Sequence, residues 1–204
     1  MALNIYYHYP WLYLSHFRLP PFGGWLRRNH DSIMRHLPAE APGRILEVGG
    51  STGQLTHKLA DRYPDSEIVS IDRSASMHRM ARAKAPPKNV SHLLMDFWEV
   101  EGRFDLVVAA GCWEFFDLLP SLDKVDKLLK PAGYLLINDM APSLFGRAHQ
   151  AMFTNAFHTR LWLHRPGQFQ QELKLRGYLA GWETVNSLEG SYTLWAQRQE
   201  GEAG

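Results

Sequence analysis

The chain has 204 residues, of which 45% are apolar and 21% are charged, and its formal net charge is +1. This length and composition are typical of one soluble globular domain, and the balanced charge gives no field that favours nucleic acid or acidic partners. The single cysteine, Cys112, excludes an internal disulfide and a cysteine-based metal site. Because the sequence shows neither a signal-peptide pattern nor an apolar run of about 18 residues, we expect a cytoplasmic protein.

The N-terminal region, residues 1–40, is rich in aromatic side chains, as in the stretch IYYHYPWLYLSHF at 5–17. We interpret it as a lid or helical segment over the ligand site of a domain at 41–204. Ordinary packing against a sheet is one alternative. Contact with a membrane interface, where Tyr and Trp are enriched, is another. The prolines at positions 10, 20 and 21 break any long amphipathic helix and disfavour the membrane.

Between residues 41 and 140, short apolar runs alternate with helical patterns. Ser51 and Gln54 fit a capping box for a first helix at about 52–63, and Ser74 fits the N-cap of a second helix. A third helical face carries Leu118, Leu122, Val125 and Leu129, and ends at Pro131 and Gly133. Strands are predicted at 44–48, 67–71, 90–95, 104–110 and 134–138. This alternation implies a parallel sheet with right-handed crossovers.

The C-terminal part departs from that alternation. An insertion at about 141–166 begins irregularly, and a helix near 168–176 ends at Gly177. Two strand-like runs, at 179–187 and 191–198, are joined by Leu188-Glu189-Gly190 and predict a hairpin. The expected fold is therefore α/β, with a seven-stranded, mostly parallel sheet, an antiparallel last strand and helices on both faces.

The stretch ILEVGGSTGQL at 45–55 joins the first strand to the first helix, where doubly wound sheets bind nucleotides. Its glycines, at positions 49, 50 and 53, let a backbone approach a ligand closely. The dinucleotide spacing G-x-G-x-x-G fails because Ser51 stands at the middle glycine. The phosphate loop is absent because no lysine follows the glycines.

Glu47, inside the first strand, distinguishes between the classes of ligand that this loop could bind. A carboxylate at this position would repel a pyrophosphate that approached the same loop, whereas it suits a ligand with a positive group. S-adenosylmethionine carries both an ammonium and a cationic sulfur. It therefore fits this loop better than a dinucleotide does.

The segment E-x-G-x-x-x-G at 47–53 resembles the first motif of class I S-adenosylmethionine-dependent methyltransferases, in which a glycine replaces Ser51. The run DRSASMHRMARAK at 72–84 resembles the segment that follows their second strand. FDLVVAA at 104–110 resembles their fourth strand, and LLKPAGYLLIND at 128–139 their fifth, with Ala132 in place of a glycine. The chain is similar to small-molecule enzymes of the ubiquinone/menaquinone-biosynthesis type, and the resemblance implies a Rossmann-like fold.

The resemblance also implies which residues bind S-adenosylmethionine. Asp72 would accept from both ribose hydroxyls, because a carboxylate suits a vicinal diol, and Asp96 with Phe97 would contact the adenine. The structural alternatives are that Asp72 and Asp96 cap turns or helices and that Met77 fills the core. The implied cofactor-binding residues are Glu47, Gly49, Gly50, Ser51, Gly53, Asp72, Arg73, Met77, Asp96, Phe97 and Gly111.

Candidate catalytic residues follow the fourth and fifth strands, whose carboxyl ends face the ligand crevice of a doubly wound sheet. Glu114 lies in GCWEFFD at 111–117, and His149, His158 and His164 lie in the insertion. Each could act as an acid or base, although a single histidine is more often a packing or surface residue. Cys112 is interpreted as a small buried residue. No paired His and Asp spacing marks a metal site.

The sequence therefore predicts methyl transfer from S-adenosylmethionine to a small, apolar or aromatic acceptor by in-line attack on the sulfonium methyl. One alternative is an enzyme that uses the same cofactor for rearrangement or elimination, and another is a non-catalytic binding module. Macromolecular acceptors are disfavoured because Gly-Cys-Trp-Glu at 111–114 replaces the Asn/Asp-Pro-Pro-Tyr motif. A nucleic-acid partner is not expected, because the chain has no basic tract.

Overall fold

The computed structural model describes residues 24–199, so the aromatic stretch at 5–17 lies outside the described residues. The helices are α1 (Trp25–Arg35), α2 (Gln54–Arg62), α3 (Ala75–Arg82), α4 (Leu118–Leu128), α5 (Leu144–Phe157) and α6 (Pro166–Leu175). The strands are β1 (Arg44–Val48), β2 (Glu67–Asp72), β3 (Val90–Leu94), β4 (Phe104–Ala110), β5 (Leu129–Met140), β6 (Tyr178–Asn186) and β7 (Ser191–Arg198). No helix within residues 24–199 is both long and apolar enough to cross a membrane.

The strands form one seven-stranded sheet in the order β3-β2-β1-β4-β5-β7-β6. Strands β1 to β5 pair in parallel, and β7 runs antiparallel to both of its neighbours. The predicted fold, including the antiparallel last strand and the C-terminal hairpin, is confirmed. Because the strand order reverses between β1 and β4, the ligand crevice of such a sheet lies at the carboxyl ends of these two strands.

Both faces of the sheet are buried, as β4 illustrates. Leu106 and Val108 face a core shared with α1 and α2, while Val107 and Ala109 face a core shared with α4 and α6. All four side chains are fully buried. Burial on both faces explains why this strand is a continuous apolar run instead of an alternating one.

Helix α2, the first helix that the sequence predicts, differs from the prediction at its N-terminus. It begins at Gln54, and its N-cap is Gly53, with φ 78° and no side-chain capping bond. The capping role predicted for Ser51 is wrong, because this residue has a left-handed backbone, with φ 49°. By contrast, Ser74 caps α3 as predicted, since its hydroxyl accepts a hydrogen bond from the Met77 N–H at 3.3 Å.

The fifth strand is longer than predicted and begins at Leu129, which the sequence pattern had assigned to the preceding helix. Leu129 is fully buried and pairs with Phe104. Pro131 therefore lies inside a strand, where the register shifts before Leu106 pairs. Such an irregularity tolerates a residue that has no N–H to donate.

The insertion after β5 is helical where the sequence indicated irregular structure. Helix α5 spans Leu144–Phe157, and the Ser143 hydroxyl caps it by accepting a hydrogen bond from the Gly146 N–H at 2.9 Å. This cap is the local signal that could have predicted the helix. The helix follows the carboxyl end of β5 and so lies near the ligand crevice.

Candidate active site

A cleft opens at the carboxyl ends of β1, β2 and β4 and holds about 790 Å³ of empty space, including its open mouth. Most of the residues predicted to bind a cofactor line it, together with Met95, Cys112, Phe115 and Phe116. The predicted residues in the lining are Gly49, Ser51, Asp72, Arg73, Met77, Asp96, Phe97 and Gly111. Residues far apart in sequence are thus brought to one edge of the sheet.

The loop after β1 forms one wall of the cleft, and its glycines have steric causes. A Cβ on Gly49 would lie 2.7 Å from Cys112 Sγ, and a Cβ on Gly50 would lie 2.0 Å from Ser70 Oγ. The N–H groups of both glycines donate to the Ile71 carbonyl at 2.9 Å, which ties the loop to β2. A side chain at either position would therefore displace Cys112 or Ser70.

Asp72, the last residue of β2, is fixed from two sides. Its Oδ2 accepts a hydrogen bond from the Ser51 N–H at 2.8 Å, and its Oδ1 accepts one from the Ser74 N–H at 2.7 Å. Burial raises the pKa of this carboxyl, while the two hydrogen bonds oppose that rise. The left-handed turn at Ser51 therefore orients a carboxylate in the wall of the cleft.

Glu47 lies deeper, near the end of β1, and is 2% exposed. The Thr56 hydroxyl donates to its Oε2 at 2.5 Å. Burial raises the pKa of Glu47 to about 7, and the hydrogen bonds from Thr56 and Ser70 oppose the rise. Glu47 lines a smaller recess beside the cleft, which it shares with Gly49, Gly50, Ser51 and two α1 residues, Leu26 and His30.

Two of the predicted cofactor residues have visible structural roles as well. Gly53 does not line the cleft or the recess, and a Cβ added to it would contact His92 and Ala81. Asp96 lines the cleft and also caps the 3-10 turn at Phe97–Glu99, because it accepts a hydrogen bond from the Trp98 N–H at 3.2 Å. Both the ligand-facing and the capping interpretations of Asp96 are therefore compatible with its position.

Helix α1 covers part of the crevice. The sequence predicted none of its residues as site residues. A Cβ on Gly111 would lie 2.8 Å from Cη2 of Trp25, whose side chain is buried. Directly after Gly111, the Cys112 thiol donates to the Val48 carbonyl at 3.1 Å, and burial raises its pKa well above the usual value. Cys112 is thus a neutral thiol that is half-buried in the lining of the cleft, and not fully buried as predicted.

The candidate catalytic residues separate into two groups. Glu114 is 6% exposed, and its Oε2 lies 4.0 Å from Nδ1 of His149. His158 is exposed at the C-terminal end of α5. His164 is buried and within 3.0 Å of the Phe116 carbonyl, and burial lowers its pKa, so it is a packing residue.

Two further polar residues near Glu114 were missed as site residues. Asp139, at the end of β5, is 1% exposed, and Tyr192 pairs with it from β7. Burial, followed by the neighbouring Glu114, raises the pKa of Asp139. An acid at the end of an apolar strand was the available signal, the same one that identified Glu47. Within residues 24–199, no three His, Cys, Asp or Glu side chains form a metal-ligating group.

A sheet of this order, a glycine loop after β1 and acids at the ends of β1 and β2 define the fold and crevice of a class I methyltransferase. The sequence profile of the methyltransferase domain family matches residues 22–180. The chain therefore belongs to the methyltransferase domain family, and the resemblance to class I S-adenosylmethionine-dependent methyltransferases is confirmed.

Characterised relatives cover different parts of the chain. A malonyl-[acyl-carrier protein] O-methyltransferase of Priestia megaterium is 33% identical over 108 residues, which are 52% of this chain and 39% of that protein. A demethylmenaquinone methyltransferase of Thermus thermophilus is 30% identical over 148 residues, which are 67% and 66% of the two chains. A trans-aconitate 2-methyltransferase of Rhodopseudomonas palustris is 26% identical over 168 residues, which are 80% of this chain and 64% of that protein. The chain thus spans well under half the length of the malonyl relative.

Solved structures agree on the fold across nearly the whole chain. The DhpI–SAH complex superposes with a TM-score of 0.73 at 16% identity, covering 97% of this chain and 95% of the other. The complex between the Haloferax volcanii Trm112 methyltransferase activator and a putative methyltransferase gives a TM-score of 0.74 at 12% identity, covering 91% and 93%. At such identities the likeness concerns the fold alone.

Proposed function

We propose that this chain transfers a methyl group from S-adenosylmethionine to a small-molecule acceptor. The observation that carries the proposal is the carboxylate of Asp72, which two backbone N–H groups orient in the wall of the cleft. A carboxylate held in this way can accept hydrogen bonds from a vicinal diol such as the ribose of the cofactor. Membership of the methyltransferase domain family supports the same reaction.

The residues present fit the cofactor at three points. Gly49 lines the cleft and Gly50 lines the adjoining recess, so backbone without side chains borders both spaces and a ligand can approach it closely. Glu47 is a buried carboxyl whose described partners are hydroxyl groups, and an ammonium in the adjoining recess would compensate its charge. Arg73, Met77, Asp96 and Phe97 line the cleft where we assign the adenine. When bound, the cofactor supplies an electrophilic methyl group on a cationic sulfur.

The acceptor is assigned to the side of the cleft near β4, where Phe115 and Phe116 form the lining. These rings favour an apolar or aromatic body, and they exclude water from the reacting atoms. Transfer requires the acceptor atom in line with the sulfur–methyl bond, and fixing that geometry supplies about 7–11 kcal/mol. Of the candidate catalytic groups, Glu114 and His149 lie together next to this wall, whereas His158 lies exposed at the end of α5.

Binding and turnover test the proposal separately. Isothermal calorimetry should show that S-adenosylmethionine and its demethylated product bind with a stoichiometry of one; absence of heat at millimolar ligand would refute the proposal. A methyl-labelled cofactor incubated with a metabolite extract should then give a labelled product. Conversion of a substrate without methyl gain would instead indicate a rearrangement or elimination enzyme, and binding without any turnover would indicate a binding module.

A further inference from the structure

Two buried acids follow adjacent strands at the acceptor side of the crevice. Glu114 lies in the turn after β4 and Asp139 lies at the end of β5, and they are 6% and 1% exposed. We call these two residues the carboxyl pair. Neither acid forms an ion pair with lysine or arginine within residues 24–199, and the nearest basic group is Nδ1 of His149, 4.0 Å from Glu114 Oε2. None of the residues assigned to the cofactor belongs to this pair.

The surroundings of the carboxyl pair contain polar atoms that lack partners. Within the described part of the chain, the hydroxyl of Tyr192 and Nε1 of Trp113 are buried without a hydrogen bond. The Asp139 carboxyl has no side-chain partner there, and only the backbone N–H groups of Met140 and Glu114 approach it. Asp139 and Tyr192 are opposite each other in the β5–β7 ladder. Leu135 and Ile137 face the core that contains Trp113 and Tyr192, so strand alternation turns Asp139 to the same side.

Buried polar groups are nearly always hydrogen-bonded, and leaving one unpaired costs about 1–3 kcal/mol. Two unpaired groups beside two buried acids therefore indicate that a polar ligand group or ordered water completes the set. The pair is also next to the cleft, because Cys112 and Phe115, on either side of Glu114 in its turn, line it. The Glu114 side chain keeps 8% of its surface accessible.

We propose that Glu114 and Asp139 together accept a proton from the methyl acceptor, whose reactive atom is therefore a proton-bearing oxygen, nitrogen or carbon and not a carboxylate. This inference rests on the function proposed above. In the reaction, the acceptor atom forms a bond to the methyl carbon, the carbon–sulfur bond breaks, and its electron pair stays on sulfur. The proton released from the acceptor atom passes to the carboxyl pair.

The electrostatics of the site agree with this assignment. Burial raises the pKa of Glu114 to about 8 and also raises that of Asp139, and the charge of Glu114 raises the latter further. The groups that face the pair are the His149 ring, the Tyr192 hydroxyl and the Cys112 thiol. Two coupled buried carboxyls do not both ionise readily, so the pair gains its first negative charge, and with it the capacity to accept a proton, as pH rises toward the pKa of Glu114.

A carboxylate acceptor would not suit this site. It has no proton to release at neutral pH, and the single negative charge of the pair would repel it. Malonyl groups and trans-aconitate, named in two relatives, carry carboxylates. We therefore expect the acceptor of this chain to differ in chemical class from the acceptors named there.

Nuclear magnetic resonance of the full chain, labelled with ¹³C at the Asp and Glu carboxyls, tests the pair without any cofactor. Two resonances should titrate together, with one transition above neutral pH, and either Glu114→Gln or Asp139→Asn should remove one resonance and lower the transition of the other. Independent ionisation of both groups below about pH 5, the range of free carboxyls, would overturn the proposal. Failure of cofactor binding would refute the proposed function but leave this titration unchanged.

Turnover of the acceptor found in the labelled extract tests the chemistry. Glu114→Gln should lower kcat about 100-fold or more, which is typical of losing a general base, with the affinity for S-adenosylhomocysteine unchanged within about threefold. The pH dependence of kcat should also be lost. Glu101→Gln, at an exposed acid, is the matched control and should leave kcat unchanged. A methyl ester as the product, or an unchanged kcat in Glu114→Gln, would overturn the proposal.

Discussion

The two sides of the crevice hold their acids in opposite ways. On the cofactor side, Asp72 accepts two backbone hydrogen bonds and Glu47 accepts one from Thr56. On the acceptor side, Asp139 has no side-chain partner within residues 24–199 and is approached only by the backbone N–H groups of Met140 and Glu114, while the Glu114 side chain has only the distant contact with His149. The first side is organised before any ligand arrives, whereas the second depends on a ligand or water to satisfy its polar groups.

Among the substitutions on the cofactor side, Gly50→Ala is expected to cause the largest loss of stability. The added Cβ would lie 2.0 Å from Ser70 Oγ, and overpacking of this kind costs about 1–3 kcal/mol. Chemical denaturation should show that loss together with weakened cofactor binding. Gly167→Ala is the control, because no atom lies within 4 Å of its Cβ position. Adding Ser70→Ala to Gly50→Ala should recover most of the loss, and equal stability of Gly50→Ala and wild type would contradict the packing argument.

Asp72→Ala should weaken binding of S-adenosylmethionine by at least tenfold, or about 1.4 kcal/mol. The substitution removes the acceptor of the Ser51 and Ser74 N–H groups as well as the proposed ribose contact. Calorimetry at neutral pH measures the change. Glu67→Ala, at an exposed acid on the opposite end of the same strand, should bind the cofactor normally. A wild-type affinity in Asp72→Ala would show that Asp72 does not bind the ribose.

Cofactor affinity should also depend on pH through Glu47. Because burial raises the pKa of this carboxyl to about 7, the charged form that attracts an ammonium is lost as pH falls through that value. Affinity should therefore fall by up to about tenfold from pH 7 to pH 6, since one pH unit corresponds to 1.36 kcal/mol. Calorimetry across pH tests this, and Glu47→Gln should flatten the profile. A profile that is unchanged in the variant would assign the titration to another group.

A last effect concerns the acceptor side and appears in the pH dependence of stability. The Glu114 carboxyl has a raised pKa, about 8, so the folded protein keeps a proton that the unfolded chain loses above about pH 4.3. Stability should therefore fall as pH rises between these values, at a rate of up to about 1.4 kcal/mol per pH unit from this group. Denaturation of Glu114→Gln at pH 6 and 7 should show a shallower fall. A steeper fall in the variant would mean that the charged form is stabilised by partners.

The positions of most strands were predictable because local patterns specify them. The β1 bounds agree with the sequence prediction, and the continuous apolar run of β4 reflects burial on both faces. The helix boundary at Ser51 was not predictable, since its left-handed backbone depends on Asp72, which lies in another strand. The strand position of Leu129 was not predictable either, because its pairing with Phe104 of β4 overrides its helical spacing.

The candidate site was predictable in part. Glu47 lies inside one apolar strand and Asp72 ends the next, and these positions together with the glycine loop identified them as site residues. Their roles in binding the cofactor remain predictions, as does a cytoplasmic location. Trp25 could not be placed, because its contact with Gly111 joins segments that are distant in the chain. Asp139 carried the same signal as Glu47, but its importance depends on Glu114 and Tyr192, which reach it from different elements.

The sequence by itself determined the family, the positions of most strands and the acids at the strand ends, because motifs, hydrophobic spacing and glycine positions act over a few residues. The tertiary structure alone decided which of those acids have partners. Hydrogen-bond partners and burial come from residues far apart in the chain, as for Asp72 with Ser51 and for Asp139 with Tyr192. The difference between a preorganised cofactor side and an unsatisfied acceptor side is therefore a property of the folded chain.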